Sequence, residues 1–534
     1  MGDLKKLIEE GRAILGIEFG STRIKAVLID DKFNPIAQGS HEWENRYENG
    51  LWTYSLDDIW TGLQSCYADL GEDVMKRYGA QLTSLAGIGI SAMMHGYMPF
   101  DSAGNLLVPF RTWRNTNTGK AAKELSDLFN FNVPLRWSVS HLYQAIIDNE
   151  PHIKEISFVT TLAGYVHWML TGEKVIGIDD GSGMFPLGSD GCSYDAVMAE
   201  KFDRLAVERL PGINITSLLP ALVKAGEQAG RLTAEGAALL DPSGRLKAGI
   251  PMCAPEGDAG TGMVATNAVK PGTGNVSAGT SSFSMIVLDR ELSKPYEAID
   301  IVATPDGSPV AMVHCNNCTS DINAWVAMFG EFAKLSGNNL STSDLYEKLF
   351  NCALDGDPDC GGLVSYNFLS GEPLVGLEEG RPMVVRSVGD KFNLSNFMRT
   401  LLYSAVACLK IGNDILFNEE NIKIERLMAH GGFFKTKEVG QRVLATALNS
   451  VVSVMETAGE GGAWGMALLA AYMAWNKEGL SLTDFLEEKV FVESKQTTVS
   501  PRKDEVDAFD RFMEGYKAYL PAEKEAVKER GYVV

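Results

Sequence analysis

The stretch Cys253–Ser284 reads CAPEGDAGTGMVATNAVKPGTGNVSAGTSSFS. It sets one isolated carboxylate, Asp258, in a glycine-framed turn, EGDAGTG. Further on it carries a second small-residue turn, Ser277–Ser282. A lone acid between glycines suits a general base, because no bulky neighbour blocks the approach of a bound hydroxyl. Gly279, Thr280 and Ser281 offer backbone N–H groups and hydroxyls, the donors that phosphate oxygens take. Small-residue turns are also the commonest plain connections, so each half of the stretch takes its meaning from what surrounds it.

The bulk properties narrow the classes. A chain of 534 residues can bury a large core and favours two or more domains. Basic residues number 48 against 69 acidic, a net charge of −21, so the chain lacks the basic face that a nucleic acid or an anionic membrane requires. Neither is expected as a partner. Any nucleotide phosphate must be handled locally, by metal, backbone N–H and a few cations. The eight cysteines are too sparse for a disulfide scaffold at this length. The N-terminus, MGDLKKLIEEGR, lacks the apolar segment of a signal peptide. The apolar run Ala463–Trp475 is too short to span a bilayer. The expectation is a reduced, soluble, cytoplasmic protein.

Working outward toward the N-terminus, Ala13–Asp30 reads AILGIEFGSTRIKAVLID. Two β-rich runs flank Gly20, Ser21 and Thr22, which predicts a hairpin whose turn presents N–H and hydroxyl groups. Glu18 lies at its mouth, within reach of a metal ion. The chain contains no G-x-x-x-x-G-K-[ST] loop. Leu51–Tyr78 has helical spacing with Ser55 as N-cap. Residues 87–92, GIGISA, match G-x-G-x-x-A, but these glycines lie inside an apolar run and not on a strand-to-helix turn. The run is read as a strand that delivers Met94 and His95 to a cleft. His95 suits a substrate hydroxyl, and a structural histidine in a turn is the competing reading. Arg111–Asn117 joins an indole to amide and guanidinium donors, a chemistry that grips polyols, with a plain surface loop as the alternative. Residues 119–170 read as helical. Asp180 follows as another hydroxyl ligand, although Asp-Gly pairs are commonly turn formers.

Toward the C-terminus, Cys315 and Cys318 form a C-x-x-C pair without a second pair at zinc spacing, so they are read as part of a strand entering a helix near Thr319 and Ser320. Leu369–Glu372 reads as a polar loop and residues 394–417 as a helix. Leu427–Lys435 reads as a strand, then a glycine turn at Gly431 and Gly432, then a helix, a common floor for a nucleotide. Glu460–Gly465 opens the last apolar helix. The tail from Pro501 is charged and helical, and is expected to be peripheral.

The order of these parts resembles the FGGY carbohydrate kinase family over about residues 13–490. GIEFGSTRIKAVLID resembles the family's first phosphate loop, and ISAMMHG and IDDGSGM its sugar-side segments. PEGDAG resembles the catalytic-base motif, SAGTSS the second phosphate loop, and FLSGE the LSGE signature. HGGFFKTKEVGQRVLATAL and EGGAWGMALLA resemble the adenosine-binding half. The resemblance implies an α/β chain of two domains of the actin-like ATPase (ribonuclease H-like) fold with a catalytic cleft between them. Their bounds would be 13–270, on the sugar and phosphate side, and 271–492, on the nucleotide side. A short extension, 1–12, would precede them and a helical tail, 493–534, would follow.

It further implies ATP and Mg²⁺, with Asp258 as base and with Glu18 and Asp258 near the metal. Phosphates would meet Gly20, Ser21, Thr22 and Lys25 on one side and Gly279, Thr280, Ser281, Gly431, Gly432 and Lys435 on the other. The sugar would meet Met94, His95, Trp113, Arg114 and Asp180. The implied reaction is transfer of the γ-phosphate to a primary hydroxyl of a ketopentose, D-xylulose first, then L-ribulose or another ketose or polyol. A homodimer is left open. The rival from another class is a non-catalytic nucleotide-binding regulatory protein on the same fold. Two departures stand out. Glu18 replaces the usual Asp, and Asn115 and Asn117 stand where a W-x-D-x-R pattern would have Asp and Arg.

Overall fold

A computed structural model describes residues 2–456 and 461–528. Two mixed sheets form its frame. In the first, β1 (Ile14–Phe19), β2 (Arg23–Ile29) and β3 (Pro35–Glu42) are antiparallel neighbours. On the other side of β1 lies β4 (Gly87–Ala92), parallel to it. β5 (Gln228–Arg231) and β6 (Pro251–Cys253) complete the order β5-β6-β4-β1-β2-β3, and the short β7 (Glu256–Gly257) also pairs with β4.

The second sheet repeats the plan. β8 (Thr273–Ala278), β9 (Ser282–Val287), β10 (Asp300–Ala303) and β11 (Pro309–Cys315) precede β12 (Arg426–His430), β13 (Val452–Met455) and β14 (Gln496–Val499). Their order is β10-β11-β9-β8-β12-β13-β14. In each sheet a hairpin gains a third antiparallel strand on one side and two parallel strands on the other. This doubled order is what two actin-like halves require.

Local chemistry explains the elements. All six residues of β4 are buried, so GIGISA is a central strand and its glycines serve close packing. The helix Leu56–Tyr78 opens on a capping box. Ser55 Oγ accepts from Asp58 N at 3.1 Å, and Asp58 Oδ2 accepts from Ser55 N at 3.2 Å. The same helix covers the open edge of the first sheet. Asp69 and Asp73 accept the β3 amides of Ser40 and Gln38, at 2.8 and 3.1 Å. The C-x-x-C pair lies where a strand enters a helix, here β11 and Ser320–Leu335, with Thr319 at the N-cap.

Three apolar clusters hold the frame. One lies between the first hairpin and Leu56–Tyr78, and includes Phe19, Ile24, Leu63 and Leu70. One lies under the second sheet around Leu401, Leu402 and Phe433. The third joins the halves, bringing Met263, Val264 and Ala467 together with Met285 and Met428. The closing helix, Gly461–Trp475, packs against β1, β2, β4 and the helix Asp258–Ala265, although it follows the second sheet in sequence. It comes so near β1 that a Cβ on Gly16 would lie 2.1 Å from Ala463 O. Glu460, named with this segment above, lies outside the described residues. The helix from Leu394 through Glu419 is long and apolar enough to cross a membrane by length and composition, and most of its apolar window is buried in the second core.

Two expectations and one alternative reading are corrected. The tail is helical, at Lys503–Lys528, but it is not peripheral: Phe509, Phe512, Met513 and Tyr516 are buried in the second core. Most of its charged residues are exposed, while Glu505 is buried in an ion pair with Arg442 and Glu523 is buried, and β14, just before it, extends the second sheet. Asp180 does not form a turn with Gly181; both lie in a short helix, Ile178–Ser182. Asp258 is neither in a turn nor isolated. It opens the helix Asp258–Ala265 directly after β7, and other carboxylates surround it.

Candidate active site

Asp258 is placed by the end of β4. There β7 pairs with Ser91 and Ala92, and Asp258 Oδ1 accepts the amide of Met94 at 3.1 Å. The N-cap is Gly257, so Asp258 is not the capping residue. Burial raises its pKa to about 6, against the pull of backbone donors. Glu18 is the next-to-last residue of β1, opposite Lys25 in register, and Oε2 accepts Ala463 N from the closing helix at 3.2 Å. Burial first, and the charge of Asp258 second, raise Glu18 to about 7. Asp179 and Asp180 enter from the short helix, and Glu256 from β7. Burial and their mutual repulsion push Asp179 and Glu256 well above the usual carboxylate range.

Glu18 and Asp258 are hard oxygen donors that repel one another, and a divalent cation would relieve both. No group of three or more His, Cys, Asp or Glu is arranged for a metal among the described residues. Two carboxylate oxygens side by side are a donor set that would suit Mg²⁺.

The two turns are rigid for different reasons. At the first, Trp43 Nε1 donates to Gly20 O at 2.7 Å, Tyr54 Oη to Ser21 O at 2.6 Å, and Trp113 Nε1 to Ser21 Oγ at 3.3 Å. Trp43 and Tyr54 stack with ring centroids 4.0 Å apart. At the second, Thr319 donates its amide and hydroxyl to Gly279 O, at 3.0 and 2.7 Å, and Cys318 N donates to Thr280 O at 2.9 Å. With these carbonyls tied inward, Thr280 is left exposed at the tip. Gly431 adopts φ 107° beside this turn, where a Cβ would lie 2.4 Å from Ala278 O. Gly431, Gly432 and Lys435 are exposed there, and Lys25 is half-buried beside the first turn.

On the other side of Asp258, Met94 and His95 are buried. His95 holds φ 72°, a strained value for a side chain of its size. Its Nδ1 lies 3.4 Å from Gly183 O; the carbonyl can only accept, which leaves Nε2 as an acceptor. Burial and then the nearby Arg136 push its pKa well below the usual value, so the ring is neutral. Asp180 Oδ2 accepts from Thr161 Oγ1 at 2.5 Å, Oδ1 has no partner among the described residues, and its pKa is raised to about 7 by burial.

The predicted residues do not all converge. Glu18, Met94, His95, Asp180 and Asp258 gather. Trp113 leans on the first turn through Ser21. Arg114 is exposed and stacks on Trp52, its Cζ 3.6 Å from the ring centre. Asn115 is buried, and its side chain is spent on the backbone of Trp52 and Thr112. Residues not singled out from sequence complete the surroundings: Trp43 and Tyr54 at the first turn, and Asp179 and Glu256 beside Asp258. Arg136 is ion-paired with Asp300 of β10. The adjacent pair Asp179-Asp180 and the spacing Glu256-x-Asp258 were the only sequence signals for two of these.

Comparison with known proteins places the chain in a family. The N-terminal domain model of the FGGY family of carbohydrate kinases matches residues 13–265, and its C-terminal domain model matches residues 274–474. A xylulose kinase of Lactococcus lactis subsp. lactis is 21% identical over 522 residues, covering 94% of this chain and 95% of that protein. Among solved structures, a ligand-bound xylulose kinase from Lactobacillus acidophilus superposes with a TM-score of 0.78 at 15% identity, covering 97% of this chain and all of that one (100%). A gluconate kinase from the same organism superposes with a TM-score of 0.77 at 16% identity, covering 96% and 98%. The two structural matches establish the fold, and the family models cover most of the chain. With both domain models matched in order around Asp258 and the two turns, the chain belongs to the FGGY family of carbohydrate kinases.

Proposed function

We propose that this carbohydrate kinase transfers the γ-phosphoryl group of ATP to a primary hydroxyl of a ketopentose, D-xylulose first, with Asp258 as general base. The observation that carries the reading is the position of Asp258. It is pinned by the Met94 amide, with Glu18 of the first hairpin on one side and Asp180 on the other. With its pKa raised by burial only to about 6, Asp258 is ionised at neutral pH and can take a proton. It takes the hydroxyl proton as the sugar oxygen bonds to the γ-phosphorus. The bond from that phosphorus to the bridging oxygen breaks, and ADP leaves with the electron pair. Donors of the two turns, Gly20–Thr22 and Gly279–Ser281, hold the phosphates in line. A Mg²⁺ held by Glu18 and Asp258 would neutralise charge on the phosphate oxygens. His95 Nε2 and Asp180 Oδ1 accept from sugar hydroxyls. Both substrates are small and water-soluble, which fits a cytoplasmic enzyme.

D-xylulose is preferred because relatives that match nearly the whole chain are xylulose kinases. L-ribulose is the second reading: GIEFGSTRIKAV and the 534-residue length also resemble L-ribulokinase-like members, and Asn115 and Asn117 depart from the W-x-D-x-R pattern. The test is ADP release measured with D-xylulose, L-ribulose, gluconate and glycerol in turn. The expected result is the highest kcat/KM with D-xylulose. A higher value with any other acceptor overturns the choice of sugar. ADP release that no acceptor raises above the sugar-free rate overturns the mechanism.

A further inference from the structure

Two short helices carry the residues that meet the sugar and the transferred proton: Ile178–Ser182 holds Asp180, and Asp258–Ala265 opens on Asp258. A helix N-terminus leaves backbone N–H groups without partners, and an N-cap side chain ordinarily takes one. Both N-caps here are glycine, Gly177 and Gly257, and neither has a side chain to offer. The acceptors come from across the gap. Glu256, from the strand just before the Asp258 helix, receives the amides of Asp179 and Asp180 on Oε2, at 3.1 and 3.4 Å. Asp179, from the other helix, receives the amide of Gly260 on Oδ2 at 3.2 Å.

The glycines are what let these carboxylates in. A Cβ on Gly177 would lie 2.1 Å from the Glu256 carboxyl carbon, and a Cβ on Gly260 would lie 2.4 Å from that of Asp179. Gly177 N also donates to Pro255 O at 2.7 Å, so strand and helix meet at backbone level. Asp179 Oδ1 and Glu256 Oε1 have no partner among the described residues. Two buried carboxyl groups with a spare oxygen each are costly, and packing alone does not explain them.

We infer that Glu256 and Asp179 are positioning residues. They form a reciprocal clasp, each capping the other's helix, that fixes the separation of Asp180 from Asp258 and so the placing of the sugar hydroxyl against its base. The inference rests on the proposed roles of Asp180 and Asp258.

The test uses the full-length chain with ATP and the best acceptor found for it. Glu256→Ala removes the cap. Gly177→Ala leaves Glu256 in place chemically but drives its carboxylate out. Both are expected to lower kcat/KM for the sugar roughly 10- to 100-fold, with the KM for ATP unchanged within about twofold. Glu256→Gln keeps an accepting oxygen and is expected to stay within about threefold of wild type. Glu256→Ala with Asp179→Ala should be no worse than the poorer single variant, because one clasp is broken either way.

Hydrogen exchange on the same proteins reads the clasp directly. Glu256→Ala should speed exchange across residues 178–182, and Asp179→Ala across 259–262. If Glu256→Ala does not fold, Gly177→Ala and Glu256→Gln decide. Sugar kinetics unchanged in Gly177→Ala, or an ATP KM raised by the same factor, overturn the inference. Wild type that turns over no acceptor overturns the sugar reading instead, and unchanged exchange at both segments overturns the clasp whether or not any sugar reacts.

Discussion

At the scale of single residues, the carboxylates around Asp258 make separable claims. Asp258→Asn keeps the oxygen that accepts from Met94 N but cannot take a proton. Its kcat is expected to fall roughly 10²- to 10⁴-fold, with nucleotide binding and melting temperature nearly unchanged. Turnover near wild type would remove Asp258 from proton transfer. Asp180 tests linkage. It faces Thr161, His95, Asp179, Glu256 and Asp258, and burial lifts it from 3.8 to about 7. Between these values the folded protein binds the proton and the unfolded chain has released it, so stability falls as pH rises through that window. Asp180→Asn lacks this loss. Its melting temperature should exceed that of wild type at about pH 8 and converge with it near about pH 4. The same variant should bind sugar more weakly. A melting difference independent of pH would mean that Asp180 does not carry the shifted proton.

At the scale of elements, the first turn is held by side chains from three other places, so its stiffness is distributed. Trp43→Phe deletes the indole donor to Gly20 O and keeps the ring. A loss of about 1 kcal/mol, or about fivefold in the KM for ATP, is expected, with the sugar KM unchanged. The tail helix makes a harder claim. Phe509 is fully buried against Tyr403, and Phe509→Ala should cost about 3–5 kcal/mol in urea unfolding. A cost under about 1 kcal/mol would return the tail to the surface.

These elements also show where sequence reading succeeds. The first hairpin, the small-residue turn Ser277–Ser282, the strand Gly87–Ala92 and the helix Leu56–Tyr78 are legible because alternation, small-residue turns and a capping serine are local signals. The Asp180 helix is not, because Asp-Gly prefers a turn and Glu256, 77 residues beyond Asp179, supplies the cap. The company of Asp258 is hidden for the same reason: Glu18 and Asp179 reach it only through the fold. The tail is misread because its charge density masks Phe509, Phe512 and Tyr516, which recur at helical spacing on one face.

At the scale of the whole molecule, the halves are joined near the Asp180 helix as well as through the central core. Asn132 donates to Ile299 O at 2.9 Å, Ala303 N donates to Ser182 Oγ at 3.0 Å, and Arg136 pairs with Asp300. Asp300→Ala would strand a mostly buried guanidinium and is expected to cost about 3–5 kcal/mol, read by urea unfolding. An unaltered midpoint would show that the halves do not depend on this joint.

The closing helix carries a different consequence. Glu18 and the Ala463 amide that it receives are 445 residues apart in the chain. At about 5–20 residues per second, a ribosome needs roughly 20–90 s to deliver the second after the first. Throughout that interval the nascent first sheet lacks the helix that packs on β1 and β4, and its apolar face stays open to chaperones and proteases. Translation pauses placed before residue 461 should therefore raise degradation of the nascent chain, while pauses placed after residue 475 has cleared the exit tunnel should not. The half that is made first is finished late, and the order of synthesis is not the order of folding.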